Sequence, residues 1–190
     1  MNKKSHGEFG GSKRTITFTD VWMQQEEKMS QEDVFLGIAA SIGGGSDTSY
    51  TTIVNIIYLL GRHPQVLAKL QSEIDAAVKK DGLKNGMITY DTARGLPYLQ
   101  AIIKESMRIL PIVAVGLPRS VPTGGDTLSG YVFREGLTVS VDSWSTCKSP
   151  KYFGDDAEIF RPERWLGDSE EVKRNESYHM PVSSILYSWS

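Results

Sequence analysis

Apolar residues recur along the first part of this chain at a spacing that predicts three helices. The first should begin at Ser30, because residues 30–33 (SQED) resemble a capping box, with an acid three residues after the serine. From Val34 to Leu60 the chain is apolar almost all the way round, a pattern typical of a helix buried on most of its sides. This long helix should end at Gly61, since glycine commonly follows the last helical turn.

Two shorter helices are predicted after the long one. The second should begin near Pro64 and stop at Asp81-Gly82, because proline suits a first turn and glycine a helix end. Its apolar residues recur every three or four positions: Val66, Leu67, Leu70, Ile74, Ala77 and Val78. The third should begin near Pro97 and be closed by Pro111. It carries apolar residues at Leu99, Ile102, Ile103 and Leu110.

Beyond Pro111 the pattern changes to short β-prone pieces separated by proline and glycine. Residues 127–133 (TLSGYVF) and 137–141 (LTVSV) suggest small hairpins, and residues 142–150 (DSWSTCKSP) a short helix. Residues 1–29 are polar and weakly patterned, so we expect them to be poorly ordered. The predicted fold class is mainly α with small β hairpins.

Composition narrows the functional classes. The chain has 190 residues, enough for one ordinary domain, and its net charge of -2 argues against a nucleic-acid surface. A single cysteine, Cys147, permits neither an internal disulfide nor a multi-cysteine metal site, so we expect no protein metal site of that kind. No apolar run approaches the ~20 residues of a spanning helix, so neither a signal peptide nor a membrane anchor is expected.

Three consecutive glycines interrupt the long predicted helix in the segment IGGGSDTSYTT. Each glycine in a helix interior costs about 1 kcal/mol relative to alanine. Either the helix breaks or kinks here, with polar residues satisfying the freed backbone, or a ligand approaches where side chains would stand. In the second case Gly44 and Gly45 leave room for a flat ligand, and Asp47 and Thr48 could relay protons.

Two further segments are ambiguous when taken alone. Glu105 and Arg108 are three residues apart and so face each other on a helix, but they lie at or beyond the margin of its apolar face. Periodicity therefore favours a solvated surface pair. Residues 160–165 (FRPERW) form, by themselves, a charged turn with two aromatic residues.

In this order and at these separations, the three segments resemble the cytochrome P450 family, the haem-thiolate monooxygenases. GGSDTS resembles the motif of the family's long central helix, ESMR its ExxR motif, and FRPERW its PERW segment. The resemblance covers roughly residues 30–166 and indicates a member of fungal type. It implies a partial cytochrome P450 fold, with the central long helix, two following helices including the ExxR helix, short strands and the PERW meander.

The resemblance also implies roles for individual residues. Glu105, Arg108 and Arg164 would form an internal salt-bridge network with a structural role. Asp47 and Thr48 would be catalytic, Thr48 by hydrogen bonding to bound dioxygen and Asp47 by helping to bring protons. The remaining implied contacts are with the haem, through Gly44, Gly45 and Arg119, which would pair with a propionate, and with an apolar substrate, through Ile112, Val113, Ala114 and Val115.

The resemblance further implies a reductase as electron donor, an apolar small-molecule substrate and, for a complete eukaryotic member, the endoplasmic reticulum membrane. The family's FxxGxRxCxG loop, which carries the cysteine that ligates the haem iron, is not found after Trp165. Residues 167–190 are expected to form an irregular tail in its place. Cys147 lies before the PERW segment and should be a small, half-buried residue rather than a substitute ligand.

These departures leave two descriptions of the polypeptide. It is expected to belong to a haem-dependent monooxygenase, yet to be inactive alone because the axial cysteine is absent. The alternative is a truncated or mis-spliced product without catalytic function, or at most a helical binding module. Apolar helix faces without partners would make the chain marginally stable and prone to aggregate. An unrelated helical interaction domain would leave the three ordered motifs to coincidence.

Overall fold

Helices dominate the computed structural model, which describes residues 17, 20–21 and 30–180. This confirms the predicted fold class. The first four helices are α1 (Gln31–Arg62), α2 (Pro64–Asp81), α3 (Tyr90–Arg94) and α4 (Pro97–Ile109). The later ones are α5 (Ser143–Cys147), α6 (Pro150–Phe153), a 3-10 helix (Pro162–Trp165) and α7 (Glu170–Tyr178). The expectation of poor order for residues 1–29 falls almost entirely outside the described residues.

Four short strands lie between α4 and α5 and form two antiparallel pairs. Strands β2 (Asp126–Leu128) and β3 (Tyr131–Phe133) make the hairpin predicted within residues 127–133. The two residues of its turn, Ser129 and Gly130, have φ values of 50° and 83°, as the tight primed turns of hairpins require. The other strand prediction needs correction, because residues 137–141 form no hairpin of their own. Instead β4 (Thr138–Val139) pairs with β1 (Arg119–Ser120).

The chain divides within α1 into two compact units, one ending at Asp47 and the other beginning at Thr48. The main core of the second unit is formed where the end of α1, α2, α4 and the segment before the 3-10 helix meet. Its buried members are Leu59, Val66, Leu70, Tyr98, Ile102, Ile109 and Phe160. Since α2 and α4 each begin with a proline in the first turn, their starts match the sequence prediction.

Helix α4 is held at its start by a side chain from α2. The backbone N–H groups of Tyr98 and Leu99 donate to the Glu73 carboxylate at 2.8 and 2.9 Å. These N–H groups belong to the first turn, which has no intrahelical acceptors, and a carboxylate there also suits the helix dipole. Glu73 therefore fixes the position of the helix that carries Glu105 and Arg108.

Helix α1 is far more exposed than its apolar sequence predicts. Leu59 is its only buried residue. In the first unit Phe35 and Ile42 are 69% and 65% exposed, and in the second Tyr50 is 70% exposed. The prediction of a helix buried on most sides is therefore wrong for the part of the chain described. Apolar composition gives only the tendency to be buried, whereas burial itself needs neighbouring elements, which in the second unit pack against the C-terminal end of α1.

The triple glycine does not interrupt α1, which is α-helical from Gln31 to Arg62. A side-chain carbon added at Gly44 or Gly45 would meet no atom within 4 Å, so the backbone there borders open space. The suggested helix break is therefore not found. No described helix combines the length and the apolarity needed to cross a bilayer.

The segment after the 3-10 helix is more regular than expected. Glu170–Tyr178, expected to belong to an irregular tail, form helix α7. Ser169 caps it by accepting a hydrogen bond from the Val172 N–H at 3.2 Å, and Glu170 and Glu171 lie in its first turn. Residues 181–190 of the expected tail lie outside the described residues.

Candidate functional site

Glu105 and Arg108 of α4 form a buried ion pair. Both residues have an exposed fraction of 0%. The guanidinium of Arg108 donates through Nε to Glu105 Oε2 at 2.9 Å and through Nη2 to Oε1 at 2.8 Å. This is the bidentate geometry of a strong arginine–carboxylate pair. The solvated surface pair favoured by periodicity is thus corrected. A later part of the chain covers this side of α4.

Arg164, from the 3-10 helix, brings a second guanidinium to the same carboxylate. Its Nε donates to Glu105 Oε1 at 3.0 Å, and its exposed fraction is 1%. Its remaining donors bind the carbonyl oxygens of Phe153 and Asp156 at 3.0 Å. Glu105, Arg108 and Arg164, which are far apart in sequence, therefore lie in one buried cluster.

The other donors of Arg108 reach across the fold. Nη1 donates to the carbonyl oxygens of Cys147 at 2.6 Å and Ala157 at 2.5 Å, and Nη2 donates to that of Ile159 at 3.2 Å. A buried guanidinium needs partners for all its N–H groups as well as a counter-charge. By taking them from these carbonyls, Arg108 ties α4 to α5 and to the segment before the 3-10 helix.

Two donors to Glu105 were not anticipated from the sequence. The Trp165 indole Nε1 donates to Oε2 at 2.9 Å, and the backbone N–H of Arg161 donates to Oε1 at 2.9 Å. Glu105 thus accepts five hydrogen bonds in all. A buried tryptophan usually has a partner for its N–H, so Trp165 beside an arginine was a usable signal. A backbone donor leaves no such trace in a sequence.

Asp156 links the buried cluster to the surface. Its carboxylate accepts from Arg161 Nε at 2.5 Å and from Arg164 Nη1 at 3.2 Å. Burial acts to raise the pKa of Asp156, but the hydrogen bond from Arg161 and the charges of Arg164 and Arg161 outweigh it and hold the pKa below its usual value. The carboxylate is therefore ionised at neutral pH, and its side chain, 32% exposed, forms an ion pair with the fully buried side chain of Arg164.

Four residues with implied roles at the haem lie on α1. In the first unit, Gly44, Gly45 and Asp47 lie on α1 and are exposed. In the second unit Thr48 is an exposed residue of α1, and its carbonyl oxygen accepts from Thr52 Oγ1 at 2.9 Å.

Arg119 and the expected substrate-lining residues follow α4. Arg119 lies in β1 with an exposed side chain, and its Nη1 donates to the carbonyl oxygen of Pro118 at 3.0 Å. A guanidinium held by one neutral partner remains able to pair with a carboxylate such as a propionate. The residues expected to line the substrate pocket lie between α4 and β1. Of these, Ile112, Val113 and Ala114 are half-buried, whereas Val115 is 74% exposed.

Cys147, the only thiol in the chain, is unsuited to bind haem iron. Its exposed fraction is 0%, so it is fully buried rather than half-buried as expected. Burial raises the pKa of the Cys147 thiol, although the Met180 N–H, which hydrogen bonds to the sulfur, acts to lower it. Because a haem-thiolate site needs an accessible thiolate, the residues described here do not fit the axial side of such a site.

Comparison with known proteins identifies the family to which this chain is similar. The sequence model for cytochrome P450 matches residues 1–184. Pisatin demethylase of Fusarium vanettenii is 36% identical over 146 residues, which cover 77% of this chain and 28% of that protein. The cytochrome P450 monooxygenase prhB of Penicillium brasilianum is 35% identical over 183 residues, covering 94% of this chain and 36% of that protein. The chain spans about a third of the length of these two relatives.

A solved structure has a similar fold. A zebrafish cytochrome P450, determined with progesterone, superposes with a TM-score of 0.66 at 28% sequence identity. The match covers 87% of this chain and 36% of that one. Taken with the family match over residues 1–184 and the two fungal relatives, this similarity shows that the chain belongs to the cytochrome P450 family and is of fungal type.

Proposed function

We propose that the complete protein is a haem-dependent monooxygenase that inserts one oxygen atom from dioxygen into an apolar small molecule. The observation that carries this proposal is the buried cluster around Glu105, in which the ExxR and PERW residues meet. The haem supplies the oxygen chemistry and a reductase the electrons. In this proposal Glu105, Arg108 and Arg164 take no part in the chemistry, and their role is to hold the scaffold.

The residues of α1 would serve the side of the haem where dioxygen binds. The open backbone at Gly44 and Gly45 supports the approach of a flat ligand. Asp47 and Thr48 would handle protons there, since a carboxylate beside a hydroxyl can pass a proton from solvent. Arg119 would pair with a haem propionate, a role that its singly partnered guanidinium supports.

An apolar substrate is supported by the residues that would line its pocket, Ile112, Val113, Ala114 and Val115. It is also supported by the similarity to a zebrafish cytochrome P450 whose structure was determined with progesterone, an apolar small molecule. By analogy with eukaryotic family members, the complete protein would work at the endoplasmic reticulum membrane.

Replacing Thr48 by alanine in the full-length protein tests the proposed proton handling. We expect product formation per electron consumed to fall by about 100-fold, the lower end of what a positioned proton donor contributes. Thr48→Ser should keep most of the activity, because it retains the hydroxyl. Thr52→Ala is the matched control, one turn further along α1. An equal loss in the Thr48→Ala and Thr52→Ala variants, measured as product against reductant, would show that the hydroxyl of Thr48 has no specific role.

A second candidate function concerns the polypeptide of residues 1–190 taken alone, which we propose is not itself a catalyst. The buried, protonated thiol of Cys147 favours this description. Such a polypeptide would be an inactive truncated or mis-spliced product, or at most a helical binding module.

Carbon monoxide binding tests the proposal that residues 1–190 alone are not a catalyst. Residues 1–190 are mixed with haem, reduced and exposed to carbon monoxide, and the Soret band is recorded. We expect no thiolate-type red shift of that band, because the thiol of Cys147 is fully buried. A red-shifted band that disappears in the Cys147→Ser variant would instead identify Cys147 as an iron ligand and refute the inactive description.

A further inference from the structure

The connection between α2 and α3 contains a tight two-residue turn, formed by Asn85 and Gly86. On either side of it, Lys84 and Met87 pair as an isolated antiparallel bridge. The Lys84 N–H donates to the Met87 carbonyl oxygen at 2.8 Å, and the Met87 N–H donates to the Lys84 carbonyl oxygen at 3.1 Å. The φ values of Asn85 and Gly86 are 55° and 77°, as in a type I′ turn. Two backbone hydrogen bonds therefore close this turn.

Asn85 is the only asparagine of the chain that is followed by glycine. The side-chain amide of an asparagine can react with the backbone nitrogen of the next residue, and glycine has no side chain to hinder this approach. A side-chain carbon added at Gly86 would meet no atom within 4 Å, so the protein leaves space around this residue. Asn85 and Gly86 are both exposed, so water reaches the two reacting groups.

The closed turn keeps these two groups apart. To react, the Gly86 nitrogen must lie on the same side of the Cα–C bond as Asn85 Cβ, because both atoms become members of one five-membered ring. In a type I′ turn the first central residue has a ψ value of about +30°, which places this nitrogen on the side opposite Cβ. Asn85 must therefore leave its left-handed conformation before it can react.

Few contacts other than the two hydrogen bonds oppose opening of the turn. Every residue from 81 to 87 is exposed, including the apolar Leu83 and Met87, which are 52% and 68% exposed. A segment with so few buried contacts can open locally while the rest of the fold stays intact. Helix α3 keeps its own cap, in which Thr89 Oγ1 accepts from the Thr92 N–H at 3.2 Å. Opening can therefore be confined to the turn.

We propose that Asn85 is a site of spontaneous covalent modification, namely deamidation through a succinimide, and that opening of the Lys84–Met87 turn sets its rate. The Gly86 nitrogen attacks Asn85 Cγ, so that a Cγ–N bond forms and the Cγ–Nδ2 bond breaks. The amide nitrogen leaves as ammonia, together with the proton from the Gly86 nitrogen. Water then opens the ring at either carbonyl carbon, and no atom is oxidised or reduced in either step.

The two products of ring opening affect the turn differently. Addition of water at Cγ gives aspartate, which tolerates the left-handed conformation as asparagine does, so the turn can close again. Addition at the backbone carbonyl carbon gives isoaspartate, which adds one carbon to the main chain. The hydrogen-bonding groups of Lys84 and Met87 then no longer face each other across a two-residue turn. Either product adds one negative charge to a chain whose net charge is -2.

A time course on residues 1–190 at neutral pH tests the proposal. Samples are digested with a protease that cleaves before aspartate, which releases residues 81–90 (DGLKNGMITY). Isoaspartate leaves this peptide uncut but changes its mass, whereas aspartate adds a cut before position 85. We expect Asn85 to react about thirtyfold more slowly than in the free peptide DGLKNGMITY, because two backbone hydrogen bonds of ordinary strength must break first.

Asn55 and Asn175 are internal references in the same samples. They lie in α1 and α7, and they are followed by isoleucine and glutamate rather than glycine. Both should stay unmodified while Asn85 reacts. Reaction at Asn85 no faster than at these two residues would refute the modification site. Reaction as fast as in the free peptide would refute control by the turn.

Two proline variants test control by the turn directly. Lys84→Pro removes the Lys84 N–H and with it one of the two hydrogen bonds, so Asn85 should react about fivefold faster, the factor for one ordinary hydrogen bond. Leu83→Pro is the matched control, because it leaves both hydrogen bonds in place and should react at the rate of the parent chain. An unchanged rate in Lys84→Pro, or an equal acceleration in Leu83→Pro, would overturn the proposal.

Discussion

Glu105→Ala is expected to abolish cooperative unfolding of the second compact unit. Removing one partner of a buried ion pair costs about 3–5 kcal/mol, because the other charge is left buried without a counter-charge. Here two guanidinium groups, those of Arg108 and Arg164, and the Trp165 indole lose their acceptor together. Such a loss is comparable with the whole stability of a typical domain, about 5–15 kcal/mol. Urea denaturation followed by circular dichroism measures it.

Glu163→Gln is the matched control for this prediction. Glu163 is also paired with a cation, Lys69 at 2.5 Å, and accepts a hydrogen bond from Tyr98, but its side chain is 36% exposed. Exposed pairs contribute only about 0–1 kcal/mol, so the variant should unfold close to the parent chain. If Glu105→Ala and Glu163→Gln lowered the free energy of unfolding equally, burial of the cluster would not be the source of its importance.

Trp165→Ala is expected to have the second largest effect on stability. Replacing a buried tryptophan by alanine typically costs about 3–5 kcal/mol through lost contacts and the cavity left behind. The Trp165 ring packs against Phe153, with ring centroids 6.3 Å apart, and against His179, and Lys104 Nζ lies 5.7 Å from its centroid. The substitution also removes one of the five donors to Glu105.

Trp165→Phe separates packing from hydrogen bonding. Phenylalanine fills most of the site but cannot donate to Glu105, so the expected loss is about 1.5–3 kcal/mol, the contribution of a hydrogen bond to a charged group. The free energy of unfolding of both variants is to be compared under the same conditions. Should phenylalanine prove as costly as alanine, the indole N–H rather than the ring would be the main contribution of Trp165.

Local signals in the sequence predict the helix boundaries well. Prolines at positions 64 and 97 occupy the first turns of α2 and α4, and Gly82 ends α2, as predicted. These features depend on the backbone conformations open to single residues, which can be inferred from residue type alone. Helix α7 was missed because its composition is polar, although Ser169 before two acids was a usable capping signal.

Burial was the property that the sequence predicted least well. Some residues predicted to be buried are exposed, and some predicted to be exposed are buried. Apolar residues of α1 such as Phe35 are exposed, whereas the charged residues Glu105 and Arg108 are fully buried. Periodicity describes one helix at a time, but burial depends on segments that arrive from elsewhere, such as Arg164 from 59 residues further along the chain. Only the order of three separate motifs indicated that these side chains meet.

The fixed position of Asn175 bears on a possible modification of this chain. Residues 175–177 (NES) match the acceptor sequence for N-linked carbohydrate. Asn175 has an exposed fraction of 0%, and its amide nitrogen, the atom to which a sugar would be joined, donates to the carbonyl oxygen of Arg164. An oligosaccharyl transferase could reach this nitrogen only before α7 is seated, and an attached glycan would then keep the helix from docking. In the folded unit Asn175 is therefore inaccessible to glycosylation.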